Sequence, residues 1–190
     1  MRSNIYVIKD SYAQMIIESQ KYGIKRVKID IEDIDKCKKY QWHYANSKDV
    51  PYIATRINGK YIRLHRYIYE NVDDGLVVDH INRNTLDNRK INLRCATLQE
   101  NGFNKSVRKD NKTGVIGVEY LPKRNRWRGK IKYNNTTIHL GYFNDFKKAV
   151  IARRIAEEYL FGQFSPNKTI NNVEVNFKEE IIKRIIAKIA

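Results

Sequence analysis

The sequence predicts an α+β chain of two small units: a strand–loop–strand–helix finger, then a three-stranded antiparallel sheet with one helix. Three observations lead there. Residues 76–105 open with Leu76-Val77-Val78, cross an Asn-rich loop, resume as Asn92-Leu93-Arg94-Cys95-Ala96, and reach a helix start at Thr97. Residues 126–133, RWRGKIKY, alternate with a period of two, the mark of a strand with two unlike faces. The net charge is +16 over 190 residues, with a pI near 9.8, which points to a polyanionic partner: DNA, RNA or an anionic membrane surface.

From the N-terminus, Ile5–Ile8 and Val27–Ile31 read as strands, and residues 31–40 as a helical turn. Residues 51–57 and 60–64 flank Asn58-Gly59, the strongest short hairpin signal there is. Trp42 reads as a core residue. Residues 64–71, LHRYIYEN, form a short helix that feeds the finger. His65 has two readings: a contact to phosphate or the site, or a histidine bracing the fold. Arg66 pairs either with a phosphate or with Asp79.

The finger carries the chemistry. Its first strand delivers Asp79-His80 to its end. Thr97 with Glu100 three residues on is a capping box, which fixes the helix phase and puts Asn101 in the first turn or just after it. Asp79, His80 and Asn101 are then a base and two hard oxygen ligands, enough to hold one Mg²⁺ and activate a water. A neutral imidazole near pH 6.5 accepts a proton at neutral pH. A carboxylate with an amide oxygen suits Mg²⁺ or Mn²⁺ better than zinc. The loop holds Arg83, Arg89 and Lys90 among several Asn. It reads as a clamp on a nucleic-acid backbone or as a solvated loop whose Asn side chains satisfy turns. Lys105, four residues after Asn101, shares its helix face and is a candidate phosphate contact.

This ordered set resembles the HNH motif, the ββα-metal finger of homing and phage-type endonucleases. His80 stands twelve residues before Asn92 and twenty-one before Asn101. The flanking words agree: LHR at 64–66, DNR at 87–89 and NLR at 92–94. The resemblance implies a DNA endonuclease with His80 as general base and Asp79 and Asn101 as metal ligands. It implies that Asn92 orients the loop and the histidine without touching metal. It also implies that residues up to about 63, with VKIDIED and Trp42, form the usual N-terminal half. Some family members carry a cysteine-held structural zinc. No such zinc is expected here, because Cys37 and Cys95 stand far apart.

Residues 107–113, VRKDNKT, read as a linker. In the strand after it, Arg126, Arg128, Lys130 and Lys132 project to one side, and Trp127, Gly129, Ile131 and Tyr133 to the other. From Lys105 to Tyr133, ten Lys or Arg stand against Asp110 and Glu119, half of the whole chain's positive excess. A basic sheet face of this kind can enter the major groove or lie along phosphates. Residues 136–140 make the next strand. Asn144 or Asp145 then caps a helix from about Phe146 to Phe161, ended by Gly162. Its stripe of Ala149, Ala152, Ala156 and Leu160 lies close on the apolar sheet face. This order is similar to the plant ethylene-response-factor (APETALA-type) DNA-binding domain, through TGVIGV at 113–118, RW at 126–127, HLGYF at 139–143 and FGQFSPN at 161–167. The resemblance marks Arg126, Trp127, Arg128, Lys130 and Lys132 as DNA-binding. Glu119 departs from the plant pattern, where Arg is common, so base specificity does not transfer.

The expected division is therefore residues 1–106 for the nuclease domain, 107–113 for the linker, 114–168 for the sheet domain and 169–190 for a C-terminal amphipathic helix. In that helix Ile181, Ile182, Ile185, Ile186 and Ile189 form one stripe. It docks on the protein or makes a dimer contact; a membrane-surface role fits the charges but conflicts with the nuclease reading. No apolar run approaches the ~18 residues of a membrane span, and Met1-Arg2-Ser3-Asn4 leads into a strand, not a signal peptide. With two distant cysteines the expected compartment is a reducing cytoplasm, the host's if the enzyme is phage-encoded. The expected partner is double-stranded DNA and not a membrane, bound by a monomer that nicks one strand or by a dimer that cuts both. The rival reading is a DNA-binding regulator with an inactive finger.

Overall fold

A computed structural model describes residues 4–47, 50–167 and 173–189. Its compact units are residues 1–101 and 102–190, a division ahead of the expected linker at 107–113. Residues 168–172, where the sheet domain and the C-terminal helix were expected to meet, lie largely outside the described residues.

The first unit opens with an antiparallel sheet of β1 (Ile5–Ile8), β2 (Ala13–Ser19) and β3 (Gly23–Ile29). Ala13, Met15 and Ile17 face inward from β2, opposite Ile29, Val27 and Lys25 of β3. A short helix α1 (Ile34–Cys37) follows, then a second antiparallel sheet of β4 (His43–Ser47), β5 (Val50–Ile57) and β6 (Lys60–Arg63). The β5–β6 turn is Asn58-Gly59 with both residues at positive φ, as a two-residue primed turn requires. Trp42 is buried as the sequence predicts. Its indole donates to the Cys37 carbonyl at 3.0 Å, and Asn4 brackets its backbone. Helix α2 (Leu64–Ile68) buries Leu64, His65 and Ile68.

Strands β7 (Val77–His80) and β8 (Leu93–Ala96) pair antiparallel, with Asp79 opposite Arg94 and His80 opposite Leu93. Helix α3 (Leu98–Phe103) starts after the capping box that the sequence shows. The Thr97 backbone donates to Glu100 Oε2 at 2.7 Å, and the Glu100 backbone to Thr97 Oγ1 at 3.2 Å. The end of β3 runs beside the finger loop. The Lys28 N–H donates to the Leu86 carbonyl and the Asn88 N–H to the Lys28 carbonyl, both at 2.8 Å.

The second unit is an antiparallel sheet of β9 (Val118–Leu121), β10 (Arg126–Tyr133) and β11 (Thr136–Phe143), with β10 in the middle. Helix α4 (Phe146–Phe161) matches its predicted bounds. Asp145 caps it by accepting from the Lys147 N–H at 3.0 Å. The alanine stripe works as predicted: Ala149, Ala152 and Ala156 are fully buried. Helix α5 (Val175–Ile189) adds Ile181 and Ile185 to this core, while Ile186 and Ile189 remain about half exposed. Arg153 and Glu157, both buried, pair at 2.9 Å, and Arg153 also donates to the Lys130 carbonyl at 2.8 Å.

That junction dictates one glycine. Gly117 has φ +76°, and a Cβ there would lie 2.2 Å from the Lys130 carbonyl oxygen and 2.9 Å from Arg153 Nη1. Gly114 also has positive φ, but a Cβ there would meet nothing within 4 Å. Gly117→Ala is expected to lower the melting transition of the second unit strongly, by more than ~2 kcal/mol. Gly114→Ala should cost only the left-handed backbone penalty of about 1 kcal/mol. Equal losses in calorimetry would refute the steric account.

Candidate active site in the finger and the basic sheet

Pairing of β7 with β8 brings the acid–base pair to a buried strand end. Asp79 and His80 are 7% and 5% exposed. A charged group at that depth needs a partner. Arg94, directly across the ladder, supplies it: its Nε and Nη2 donate to Asp79 Oδ2 at 3.1 and 2.9 Å. Arg66, which the sequence offered either to a phosphate or to Asp79, is exposed, and the Arg94 guanidinium on Asp79 comes from β8.

His80 Nε2 lies 3.2 Å from Asn88 Oδ1, and the edge of its ring meets the His65 ring at 4.9 Å between centroids. Burial pushes the His80 pKa below its ordinary value, partly opposed by the Asn88 hydrogen bond and by the charges of Asp79 and Asp87. The imidazole is therefore neutral at neutral pH, the form a base needs. His65 is 4% exposed and also touches Tyr52. Burial, then the charges of His80, Arg63 and Arg66, push its pKa down to about 3. A neutral buried ring braces the finger; it is not a cation for phosphate.

Asn92 takes the loop-holding part of the role that the family resemblance implies. Its Oδ1 accepts from the Asn82 N–H at 2.9 Å and its Nδ2 donates to the Asp87 carbonyl at 2.7 Å. It spans the loop, and the amide against His80 is that of Asn88. Asn101 is exposed in the first turn of α3, its N–H on the Thr97 carbonyl at 3.0 Å. Lys105 is exposed beyond the helix.

The loop cations split. Arg83 is exposed, at φ +64°. Arg89 is engaged: it donates to both oxygens of buried Asp87 at 2.8 and 2.7 Å and lies over Tyr12. Burial works to raise the Asp87 pKa, but Arg89 outweighs it and holds the carboxyl below its usual range. Arg89 thus braces the loop through Asp87. Lys90 is held by Glu32 and Asp33.

The donor set fits a hard cation. Asp79 offers a carboxylate and Asn101 an amide oxygen, the ligand types of Mg²⁺ and Mn²⁺. Two Arg94 bonds fall on Oδ2 and fix the direction of the carboxylate. Among the described residues, no three His, Cys, Asp or Glu side chains gather as a metal site.

On β10 the alternation holds: Gly129 and Ile131 are buried while Arg126 and Lys132 are exposed. The cationic face is not uniform, however. Glu119 sits across from Arg128 and pairs with both Arg128 and Lys130, the latter at 2.8 Å. The Lys130 hydrogen bond, with Arg128 assisting, holds the Glu119 carboxyl below its usual range. Trp127 belongs to the other face, its ring 4.7 Å from Phe146 at the start of α4 and 5.1 Å from Tyr120. It packs the sheet against the helix. Arg124, stacked over exposed Tyr142, joins the basic face and was missed in the sequence because its residues come from separate strands.

Comparisons agree with the finger. Residues 63–103 match the HNH endonuclease family. Over 136 residues the chain is 35% identical to an uncharacterized HNH endonuclease of Acanthamoeba polyphaga mimivirus, a match covering 68% of each chain. It is also 35% identical over 60 residues to Protein 3.8 of Escherichia phage T7, covering 32% of this chain and 50% of that protein. No solved structure matches at a significant level. Among the described residues, no helix is long and apolar enough to cross a membrane.

His65 generates a pH prediction. Its folded pKa is depressed, so between pH 6.5 and about 3 the unfolded chain binds a proton that the folded one refuses. Stability is full above pH 6.5 and falls as the pH is lowered, by up to about 1.4 kcal/mol per unit from this group. Urea midpoints at pH 7 and 5 measure it. His65→Gln should flatten the difference; an unchanged slope would refute the assignment.

Proposed function

Because the chain belongs to the HNH endonuclease family, we propose that it hydrolyses DNA phosphodiesters with one divalent metal and His80 as general base. The observation that carries this reading is the buried His80 at the strand end beside Asp79, with the Asn88 amide against one ring nitrogen. Asp79 and Asn101 are the residues that would hold the metal. When bound, Mg²⁺ or Mn²⁺ supplies charge stabilisation for the phosphorane-like transition state and the departing oxyanion.

The chain's own groups do the rest. His80 takes the proton of a water as its oxygen attacks phosphorus, and the P–O3′ bond breaks. Arg94 keeps Asp79 in one orientation across the β7–β8 ladder. Asn92 and Asp87 hold the loop so that the histidine does not move away as its charge develops. Arg83 and Lys105, both exposed, are the finger's candidate phosphate contacts.

The second unit is proposed to bind DNA through the outer face of its sheet, with Arg124, Arg126 and Lys132 as the contacts. Its support is the charge excess of that stretch and the resemblance to the plant DNA-binding domain. Glu119 sets the strength of this face by occupying Arg128 and Lys130. One finger per chain makes a nick the expected product, and a dimer would be needed for a double-strand cut.

Plasmid cleavage tests the nuclease half. Supercoiled DNA is expected to open with Mg²⁺ or Mn²⁺ and to stay intact with EDTA. His80→Ala should lower kcat by about 10²–10⁴. Wild-type rates from His80→Ala would remove the base assignment, and protein that cuts nothing with metal would favour a binding protein with an inactive finger.

DNA binding over a salt series tests the sheet. Glu119→Gln is expected to tighten binding several-fold and to steepen the slope of log K against log salt by about one. An unchanged slope would place the bound DNA elsewhere.

A further inference from the structure

We propose that Asn88 is the positioning residue of the histidine base: its amide oxygen fixes the ring proton on Nε2 and so assigns proton uptake to Nδ1. The proposal rests on the general-base reading of His80 and goes one step beyond it.

The amide's direction follows from its other end. Asn88 is 1% exposed, and its Nδ2 donates to the Thr85 carbonyl at 3.2 Å. Turning the amide over would set its oxygen against that carbonyl, two acceptors face to face in a buried site, and leave the NH₂ to the ring. The oxygen therefore faces His80. Asn88 Oδ1 only accepts, so the ring nitrogen 3.2 Å away must carry hydrogen. In a neutral imidazole the other nitrogen, Nδ1, then holds the lone pair. When Nδ1 takes a proton from water, the Nε2–H···Oδ1 bond persists and strengthens, because its donor becomes charged.

Asn88 is itself held in place from two sides. Its N–H donates to the Lys28 carbonyl at 2.8 Å, and the Lys28 N–H reaches the Leu86 carbonyl at the same distance. Its neighbour Asp87 is tied by Arg89 and by the Asn92 amide. The backbone of β3 thus fixes Asn88, and Asn88 fixes the ring. The N-terminal sheet enters catalysis through this one amide, although none of its side chains is an acid or base of the reaction.

Two variants and one spectrum test the proposal. Asn88→Leu keeps the branched shape and loses both bonds; Asn88→Asp keeps an acceptor toward His80. With Mg²⁺ and plasmid, Asn88→Leu is expected to lower kcat by about 10²-fold or more with KM for DNA within about threefold. Asn88→Asp should recover a large part of that loss. Melting curves read any loss of fold separately. In ¹⁵N-labelled wild type, His80 should show a slowly exchanging ring N–H at Nε2 that disappears in Asn88→Leu. That signal needs no activity, so it stands or falls apart from the base reading, which His80→Ala tests. A proton on Nδ1 in the wild type, a ring N–H unchanged in folded Asn88→Leu, or kcat of that variant within threefold of wild type would each overturn the proposal.

Discussion

The buried carboxylate of Asp87 is the constraint on which the finger depends. At 2% exposure it must be paired, and the loop is arranged to pair it. Arg89 takes both oxygens, Asn82 donates to one of them, and the backbone carbonyl of Asp87 accepts from Asn92. Removing Arg89 would leave a buried charge unmet. Removing Asp87 would release Arg89, Asn82 and the bend that presents Asn88. A loop of nine residues rich in Asn would otherwise have many turn conformations, since each Asn can bond its own backbone. Two such turns are used here, at Asn82–Asn84 and Asn84–Leu86. They are short-range and weak alone; the Asp87 network selects among them.

How far this was legible depends on range. The capping box, the Asn-Gly hairpin and the bounds of α4 are local patterns, and they were read correctly. Strands β2 and β4 escaped notice because AQMIIES and HYANS are not bounded by turn residues on both sides. The partners of the site escaped for a different reason. Arg94 reaches Asp79 through strand register, and Asn88 reaches His80 through a loop closed by β3. Neither relation has a period or a motif spacing. Arg66 was an alternative for Asp79 only because it is near in sequence to other motif words, and sequence proximity does not set direction across an antiparallel ladder.

The second unit shows the same limit from the electrostatic side. Period-two alternation sorted the faces of β10 well. It could not show that Glu119, on the neighbouring strand, would sit opposite Arg128 and reach Lys130 as well. A charge count along one strand therefore overstates the field of the sheet. Trp127 was assigned to DNA on resemblance alone, while the alternation had already put it opposite the cations. Its ring lies against Phe146, where it seals the sheet to α4.

Arg94 raises the question of why a carboxylate proposed to hold metal should already hold a guanidinium. A carboxylate has two oxygens and about four acceptor positions. Arg94 places two bonds on Oδ2, which fixes the plane and direction of the group. A carboxylate at this depth with no cation beside it would be costly to keep charged before metal arrived. Arg94 meets that cost and holds the carboxylate in one direction across the ladder. The same logic governs His80, whose ring is neutral through burial and oriented by a neutral amide. Asp79 and His80 are thus each given a direction by a side chain that the strand register or the loop brings to them. That shared arrangement is what the two strands, the loop and the β3 backbone build together.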